Sequence, residues 1–129
     1  MQNNLQELIK YRIAQAHETI KEVEFLLEKG LLVLAINRIY YGMFYMLLAL
    51  ALENGFKTSK HNQLIGWFNK EFVKTGTINR NIGKIVHNAF EDRTDGDYGL
   101  FVHFEKDEVK TKLENMKIFI DKIENLLSQ

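Results

Sequence analysis

Residues 39–52, IYYGMFYMLLALAL, form the most apolar stretch of the 129-residue chain and decide its fold. The stretch is 14 residues long, short of the roughly 20 that an α-helix needs to cross a bilayer, so it predicts a buried core helix. The wider helix, from about Leu31 to Asn54, has two apolar faces. One face contains Leu32, Ile36, Ile39, Tyr40, Met43, Leu47 and Leu50, and the other contains Leu34, Arg38, Tyr41, Tyr45, Leu48 and Leu52. A helix that is apolar on both sides packs against something on each side, so we expect one face in the core and the other, with Tyr41, Tyr45, Leu48 and Leu52, at a homodimer interface.

Helical periodicity extends over the rest of the chain, which contains no proline to interrupt it. Five helices are expected: one through Leu5–Leu27 that ends at Gly30, one from about Leu31 to Asn54, one from a Ser59 cap to the KTG turn at 74–76, one from about Ile78 to Asp92 and, after a loop at 94–103, one over 105–127. The sequence therefore predicts a single all-α domain over residues 1–129. Its architecture is an antiparallel up-and-down bundle of about five helices.

Composition excludes several classes of function. Seventeen basic and seventeen acidic residues cancel, so binding to nucleic acid or a membrane would have to be local. The chain has no cysteine and no signal-peptide pattern at its start, so we expect a cytoplasmic protein without a membrane partner. None of the four histidines has a glutamate three residues before it, as a di-iron bundle requires, and no phosphate-loop, dinucleotide or zinc-protease motif occurs. We therefore expect no metal and no cofactor.

The run EDRTDGDYG, residues 91–99, collects charged groups at the end of the fourth predicted helix. Arg93 continues the spacing of the apolar residues before it, so its guanidinium should turn inward and need a partner. Asp97 and Tyr98 are the nearest candidates, because Gly96 and Gly99 would let the chain fold back over the helix end. With Arg38 and Tyr41 of the second helix, these residues are expected to line one polar cleft. The alternative is an ion-pair cluster that only holds the end of the helix.

Two other sets of polar residues are weaker candidates. Arg80 and His87 lie on the side of the fourth helix opposite its core residues, so we expect both to be solvated and dispensable. His61 opens the third helix. It is either an ordinary surface residue or a residue that supports the cleft.

Three segments taken together resemble the small bacterial and archaeal HEPN-domain proteins. NRIYYGMFYMLLAL (37–50) is similar to a helix signature in which a polar residue precedes Arg-x-Tyr-Tyr-x-x-Phe. SKHNQLIGWFNKEFVKTGTI (59–78) is similar to the segment that follows it, and RTDGDY (93–98) matches an Arg-x-x-x-Asp-Tyr motif. The resemblance covers about residues 5–125. It implies a five-helix bundle that dimerises, with a polar cleft along the shared face.

The resemblance also bears on activity. Some members of the family are ribonucleases, often toxins whose antitoxin is a minimal nucleotidyltransferase encoded beside them, and they use an arginine and a histidine with four to six residues between them. Arg93 matches that arginine, but Tyr98 stands where the histidine is expected. Arg80 and His87 match the spacing, but they lie on the predicted solvated side of the helix. A tyrosine, with an ordinary pKa of about 10, is a poor general base near neutral pH.

Three functions remain open at this point. The first is a nucleotide- or RNA-binding module with Arg38, Tyr41, His61 and Arg93 as binding residues, paired with a nucleotidyltransferase in a toxin–antitoxin system. The second is an active endoribonuclease toxin that uses Arg93 together with Asp97, Tyr98 or His61. The third is a dimeric scaffold without catalysis, in which the charged cluster is only structural.

Overall fold

The structure is a computed structural model that describes residues 2–98 and 102–128, and these residues form five α-helices without a strand. The helices are α1 (Gln2–Glu28), α2 (Leu32–Glu53), α3 (His61–Phe68), α4 (Arg80–Tyr98) and α5 (Lys106–Leu127). A π-helical turn over Asn69–Val73 continues α3. The predicted all-α bundle is confirmed.

Helix α2 is the centre of the bundle and contacts each of the other four helices. Its first apolar face lies in the core, where Ile36, Ile39, Tyr40, Met43, Leu47 and Leu50 are all buried. On the second face Tyr41, Tyr45, Leu48 and Leu52 are half-buried within the single chain, and Leu34 is exposed. The homodimer that the second face suggested stays a prediction.

Gly42 allows α1, α2 and α5 to pack closely. A Cβ added at this position would overlap Cε of Met116 on α5 and would lie 3.3 Å from Cγ2 of Thr19 on α1. Both neighbours are fully or almost fully buried. Any larger residue would therefore force the three helices apart or displace Met116.

Glycines terminate the elements as the sequence predicted. Gly30, Gly55 and Gly76 have φ angles of 74°, 73° and 83°, a left-handed conformation that glycine adopts without steric cost, and they follow α1, α2 and the π-helical turn.

The predicted Ser59 cap is wrong. Helix α3 begins at His61, with Lys60 at the N-cap position and no side-chain cap. Thr58 organises this turn instead, because its hydroxyl accepts a hydrogen bond from the Lys60 N–H at 3.1 Å and donates one to Gln63 Oε1 at 2.7 Å.

Helix α2 is longer than the 14-residue stretch from which a membrane span was excluded. With 22 residues and a mean hydropathy of 1.5, it is long and apolar enough to cross a bilayer by length and composition alone. The argument from length is therefore insufficient. What supports the interpretation as a core helix is that 56% of its most apolar window is buried within the bundle.

Candidate functional site

The end of α4 differs from the sequence prediction. The helix continues past Asp92 to Tyr98, so the predicted loop is wrong for residues 94–98. Gly96 does not break the helix, and a Cβ added there would be in ordinary van der Waals contact, 3.6 Å from Phe104 and from Val33. Asp97 therefore reaches Arg93 from one helical turn away on the same helix, and not by folding back over its end.

Arg93 turns toward the interior of the bundle, as its spacing predicted. Its Nε lies 3.0 Å from Oδ2 of Asp97, and its Nη2 donates a hydrogen bond of 3.2 Å to the hydroxyl of Tyr41. Only 19% of the Arg93 side chain and 28% of the Asp97 side chain are exposed. The same Asp97 oxygen is 3.4 Å from Nδ2 of Asn37, which donates to it. A carboxylate from α4 and a hydroxyl from α2 thus hold the guanidinium group.

Aromatic rings of α2 complete the surroundings of Arg93. Its Cζ lies 5.9 Å from the ring centroid of Tyr40 and 5.4 Å from that of Tyr41, within the range of cation–π attraction. Tyr40 and Tyr41 are consecutive residues that point to adjacent sides of the helix, and their rings meet edge to face at 5.4 Å.

Arg38 brings a second guanidinium group to the same ring. Its Cζ also lies 5.4 Å from the Tyr41 centroid, which places the two guanidinium carbons within twice that distance of each other. Its Nη2 donates to the hydroxyl of Tyr45 at 3.3 Å, and its Nε is 3.5 Å from a carboxylate oxygen of Glu22 on α1. The side chain is 28% exposed.

Both guanidinium groups have hydrogen-bonding capacity that the described residues leave unused. Each has five N–H donors, and each makes one aligned hydrogen bond among the described residues. The Nε atoms of Arg38 and Arg93 are buried without a hydrogen-bond partner in that part of the chain, although each has a carboxylate oxygen within 3.5 Å. The Nε–H bonds are therefore not aimed at those carboxylates. Because both Nε atoms are buried, an anion would have to meet the guanidinium groups through their Nη donors.

His61 reaches this site from the start of α3. Its ring stacks on Phe44 with a centroid distance of 4.0 Å, and its Nδ1 is 2.6 Å from the hydroxyl of Tyr40. Burial raises the pKa of Tyr40 well above its ordinary range, so the phenol keeps its proton. Burial lowers the pKa of His61, and the positive charge of Arg93 lowers it further. Both effects favour a neutral His61, and Nε2 is the ring nitrogen that does not contact Tyr40.

The structure thus brings together Arg38, Tyr41, His61, Arg93 and Asp97, and we call these five residues the cleft. Tyr98 is in the last turn of α4, but its side chain lies outside the described part of the molecule. Three contributors were not identified as site residues from the sequence: Tyr40, Tyr45 and Glu22. The spacing of Arg38, Tyr41 and Tyr45 by three and four residues was the available signal for Tyr45.

Arg80 and His87 are elsewhere. Both are exposed, as predicted, and His87 Nε2 lies 2.7 Å from Oε1 of Glu91 at the surface of α4. Within residues 2–98 and 102–128, no group of three or more His, Cys, Asp or Glu side chains is placed to hold a metal ion.

The fold and the site define a class of protein: an all-α bundle with paired arginines and tyrosines between its second and fourth helices. Residues 9–126 match the HEPN domain family, and the chain belongs to that family. A UPF0332 protein of Thermotoga maritima is 41% identical over 125 residues, which cover 97% of this chain and 95% of that protein. Two proteins of Methanocaldococcus jannaschii, named "Putative toxin MJ0142" and "Putative toxin MJ0605", are 30% and 27% identical. Those matches cover 89% and 100% of this chain and 78% and 96% of the two relatives.

Proposed function

We propose that this protein is the HEPN component of a toxin–antitoxin pair and binds RNA or a nucleotide by its phosphate at the cleft. The observation that carries the proposal is the pair of incompletely hydrogen-bonded guanidinium groups, Arg38 and Arg93, on one tyrosine ring. Planar guanidinium groups match the geometry of phosphate oxygens and bind them through two parallel hydrogen bonds.

The aromatic residues around the arginines suit the rest of a nucleotide. Single-stranded RNA is bound by stacking of unpaired bases on tyrosine, phenylalanine or histidine, and each stacked base contributes about 1–3 kcal/mol. Tyr41 is half-buried, so part of its ring is open to such contact. A net charge of zero fits a ligand that is held by this local site instead of by the field of the whole protein.

The partner and the location are further parts of the proposal. The names of the two Methanocaldococcus relatives support the toxin half of the proposal. A minimal nucleotidyltransferase, acting as antitoxin in the cytoplasm, is the partner that the HEPN resemblance implies.

The salt dependence of RNA binding tests the phosphate contact. Each phosphate contact to single-stranded nucleic acid contributes about 0.7 to the slope of log K against log salt concentration. We expect fluorescence anisotropy with a short labelled oligoribonucleotide to show a slope about 1–2 smaller in magnitude for the Arg38→Ala/Arg93→Ala variant. The matched control, Arg80→Ala/Lys122→Ala, removes two exposed charges outside the cleft and should keep the slope. Equal slopes for both variants would contradict the proposal.

The homodimer is the second part of the proposal. Tyr45 and Arg38 also border a surface groove between α1 and α2 that includes Tyr11, whose side chain is 57% exposed. Covering this face with a second copy would bury the remaining area of Tyr45 and Leu48. Light scattering at micromolar concentration should give a molar mass twice the 15.2 kDa of one chain. The Leu48→Glu variant should have the mass of a single chain. A monomeric wild-type protein would overturn this part.

A specific contact favours endoribonuclease activity as a second candidate function. Metal-independent cleavage needs a group that takes the proton of the 2′-hydroxyl as it attacks phosphorus, and a group that returns a proton to the leaving 5′-oxygen. His61 is neutral near pH 7 and shares the cleft with Arg93. With its Nδ1–H donated to the Tyr40 hydroxyl, Nε2 has the lone pair that takes the 2′-hydroxyl proton, and the imidazolium formed in that step returns a proton to the leaving 5′-oxygen. If the protein cleaves RNA, His61→Gln should abolish cleavage on a gel while Tyr98→Phe retains it. The reverse result would assign the role to Tyr98.

A further inference from the structure

The positive charges of the chain are concentrated in one segment. Residues 54–90 contain six lysines and arginines and one carboxylate, Glu71, although the whole chain has seventeen residues of each sign. All six are exposed, and they are Lys57, Lys60, Lys70, Lys74, Arg80 and Lys84. The net charge of zero therefore conceals a basic region that is balanced by an acidic excess in the rest of the chain.

These six side chains keep their charge uncompensated. Among the described residues, every carboxylate that lies within 4.0 Å of a lysine or arginine contacts a basic residue outside residues 54–90. Glu71 itself forms no ion pair in that part of the chain. Because the potentials of like charges add, the region attracts an anionic partner, over a screening length of about 8 Å at physiological salt.

Four of the six basic residues lie beside a groove between the π-helical turn and the first turns of α4. The groove has a volume of about 450 Å³ and is lined by Asn69, Val73, Arg80, Gly83, Lys84 and His87. Lys70 and Lys74 directly follow the two lining residues of the turn in the sequence and are exposed. We call Lys70, Lys74, Arg80 and Lys84 the basic rim.

The floor of this groove is apolar. It is formed by Val73, which is half-buried, and by Gly83, which is buried. A Cβ added at Gly83 would lie only 3.0 Å from Cγ2 of Val73, so the absence of a side chain there lets the turn pack closely against α4. An apolar floor between cations suits a ligand that has an apolar group flanked by anionic groups.

The surface favours an acidic protein over a nucleic acid. The large apolar side chains that are exposed in the described structure all lie outside residues 54–90, so no aromatic ring projects here for a base to stack on. Three of the four rim residues are lysines, which act as flexible point charges, whereas the planar donors that match phosphate belong to the arginines of the cleft. An amphipathic helix with carboxylates on both sides of one large apolar residue fits such a groove.

We propose that this groove docks an acidic segment of a partner protein, with one apolar side chain on Val73 and Gly83 and carboxylates at the basic rim. None of the five cleft residues lines the groove. The inference goes beyond the proposed function, because the ligand is a protein segment and the surface is separate from the cleft.

Selection from a phage-displayed library tests which chemistry the groove recognises. With random peptides of about 12 residues, long enough for three helical turns, the wild type should enrich sequences that have several Asp or Glu around one large apolar residue. The Arg80→Glu/Lys84→Glu variant should not enrich them. Lys106→Glu/Lys122→Glu, which reverses two exposed lysines of α5, is the charge-matched control and should enrich them as the wild type does.

Two results of the selection would overturn the proposal. One is the absence of acidic sequences from the peptides that the wild type selects. The other is equal enrichment by the wild type and by Arg80→Glu/Lys84→Glu. Circular dichroism checks that this variant is folded, and Lys70→Glu/Lys74→Glu takes its place if it is not.

Affinity measurements with one selected peptide then separate charge from apolar contact. Its fluorescence anisotropy should show binding to Arg80→Glu/Lys84→Glu that is at least about tenfold weaker than to the wild type. Replacing its large apolar residue by serine, at constant charge, should also weaken binding about tenfold. Unchanged affinity for the serine peptide would show that the groove is not used and would overturn the proposal.

A labelled oligoribonucleotide tests the alternative ligand. Its affinity should fall in Arg38→Ala/Arg93→Ala and stay within about twofold of the wild type in Arg80→Glu/Lys84→Glu. A loss of RNA binding in Arg80→Glu/Lys84→Glu that exceeds the loss in the cleft variant would assign the basic rim to nucleic acid and overturn the proposal.

Discussion

Helix α4 has an arginine near each end, Arg80 in its first turn and Arg93 toward its last. Each arginine is followed in the sequence by a group with which it could act: His87 seven residues after Arg80, and Asp97 four residues after Arg93. The two regions differ in burial. His87 and Glu91 are in contact with more than half of each side chain in solvent, whereas the side chains of Arg93 and Asp97 are 19% and 28% exposed.

This difference in burial changes what each group of charges does. An exposed ion pair is screened by water and salt and contributes at most about 1 kcal/mol. A half-buried arginine has lost much of its hydration, so it depends on its protein partners and attracts any anion that can reach it. Residue types and spacing alone do not distinguish the two regions. The two regions are distinguished by the face of α4 on which their side chains lie.

The largest effect should come from removing the partner of the buried arginine. Asp97→Ala leaves Arg93 with Tyr41 as its aligned partner, and we expect it to lower the free energy of unfolding by about 1–3 kcal/mol in a urea titration. Glu91→Ala, the corresponding change on the exposed side, should change it by less than about 0.5 kcal/mol. Equal losses would show that burial does not separate the two pairs.

The next effect concerns geometry at constant charge. Arg93→Lys keeps the positive charge but loses the planar set of donors, so RNA affinity should fall about tenfold. Arg80→Lys should change affinity less than twofold. If Arg93→Lys binds RNA as tightly as the wild type, the cleft contributes only positive charge, and the proposed bidentate contact to phosphate is wrong.

A smaller effect is expected in the pH dependence of stability. Because the pKa of His61 is lowered in the folded state, the unfolded chain binds its proton first as the pH falls. The contribution of His61 to stability is therefore present above its ordinary pKa of about 6.5 and is lost as the pH falls below that value. In urea titrations, the free energy of unfolding should fall less between pH 7 and pH 5 for His61→Gln than for the wild type. If it falls by the same amount in both proteins, the folded state does not hold a half-buried His61 in its neutral form.

The smallest effect should come from the exposed end of α4. Arg80→Ala and His87→Ala should each leave RNA binding, and any cleavage, within about twofold of the wild type, because neither side chain contacts the cleft. Binding and gel assays with both variants check this. A variant that folds normally but loses cleavage would move the site to this end of the helix.

The cleft was predictable in part. Arg93 could be placed inward because Ile82, Val86 and Ala89 precede it at steps of four, three and four residues, and all three are buried. Asp97 was identified as its partner for the wrong reason, since the helix does not stop at Gly96. A glycine inside a helix costs about 1 kcal/mol relative to alanine but does not by itself end the helix, as Gly66 within α3 also shows.

The sequence by itself determined the five helices, the central position of α2, the inward arginine and, through three motifs in order, the family. These features can be predicted from the spacing of residues along the sequence, because apolar residues every three or four positions indicate the buried face of a helix. Only the tertiary structure decided that Tyr40 meets His61, 21 residues away, that Tyr41 meets Arg93, 52 residues away, and that a groove opens between the π-helical turn and α4. Periodicity reports which side of a helix is buried. Which residues meet there depends on how the helices cross, and side-chain packing between segments distant in sequence fixes those crossings.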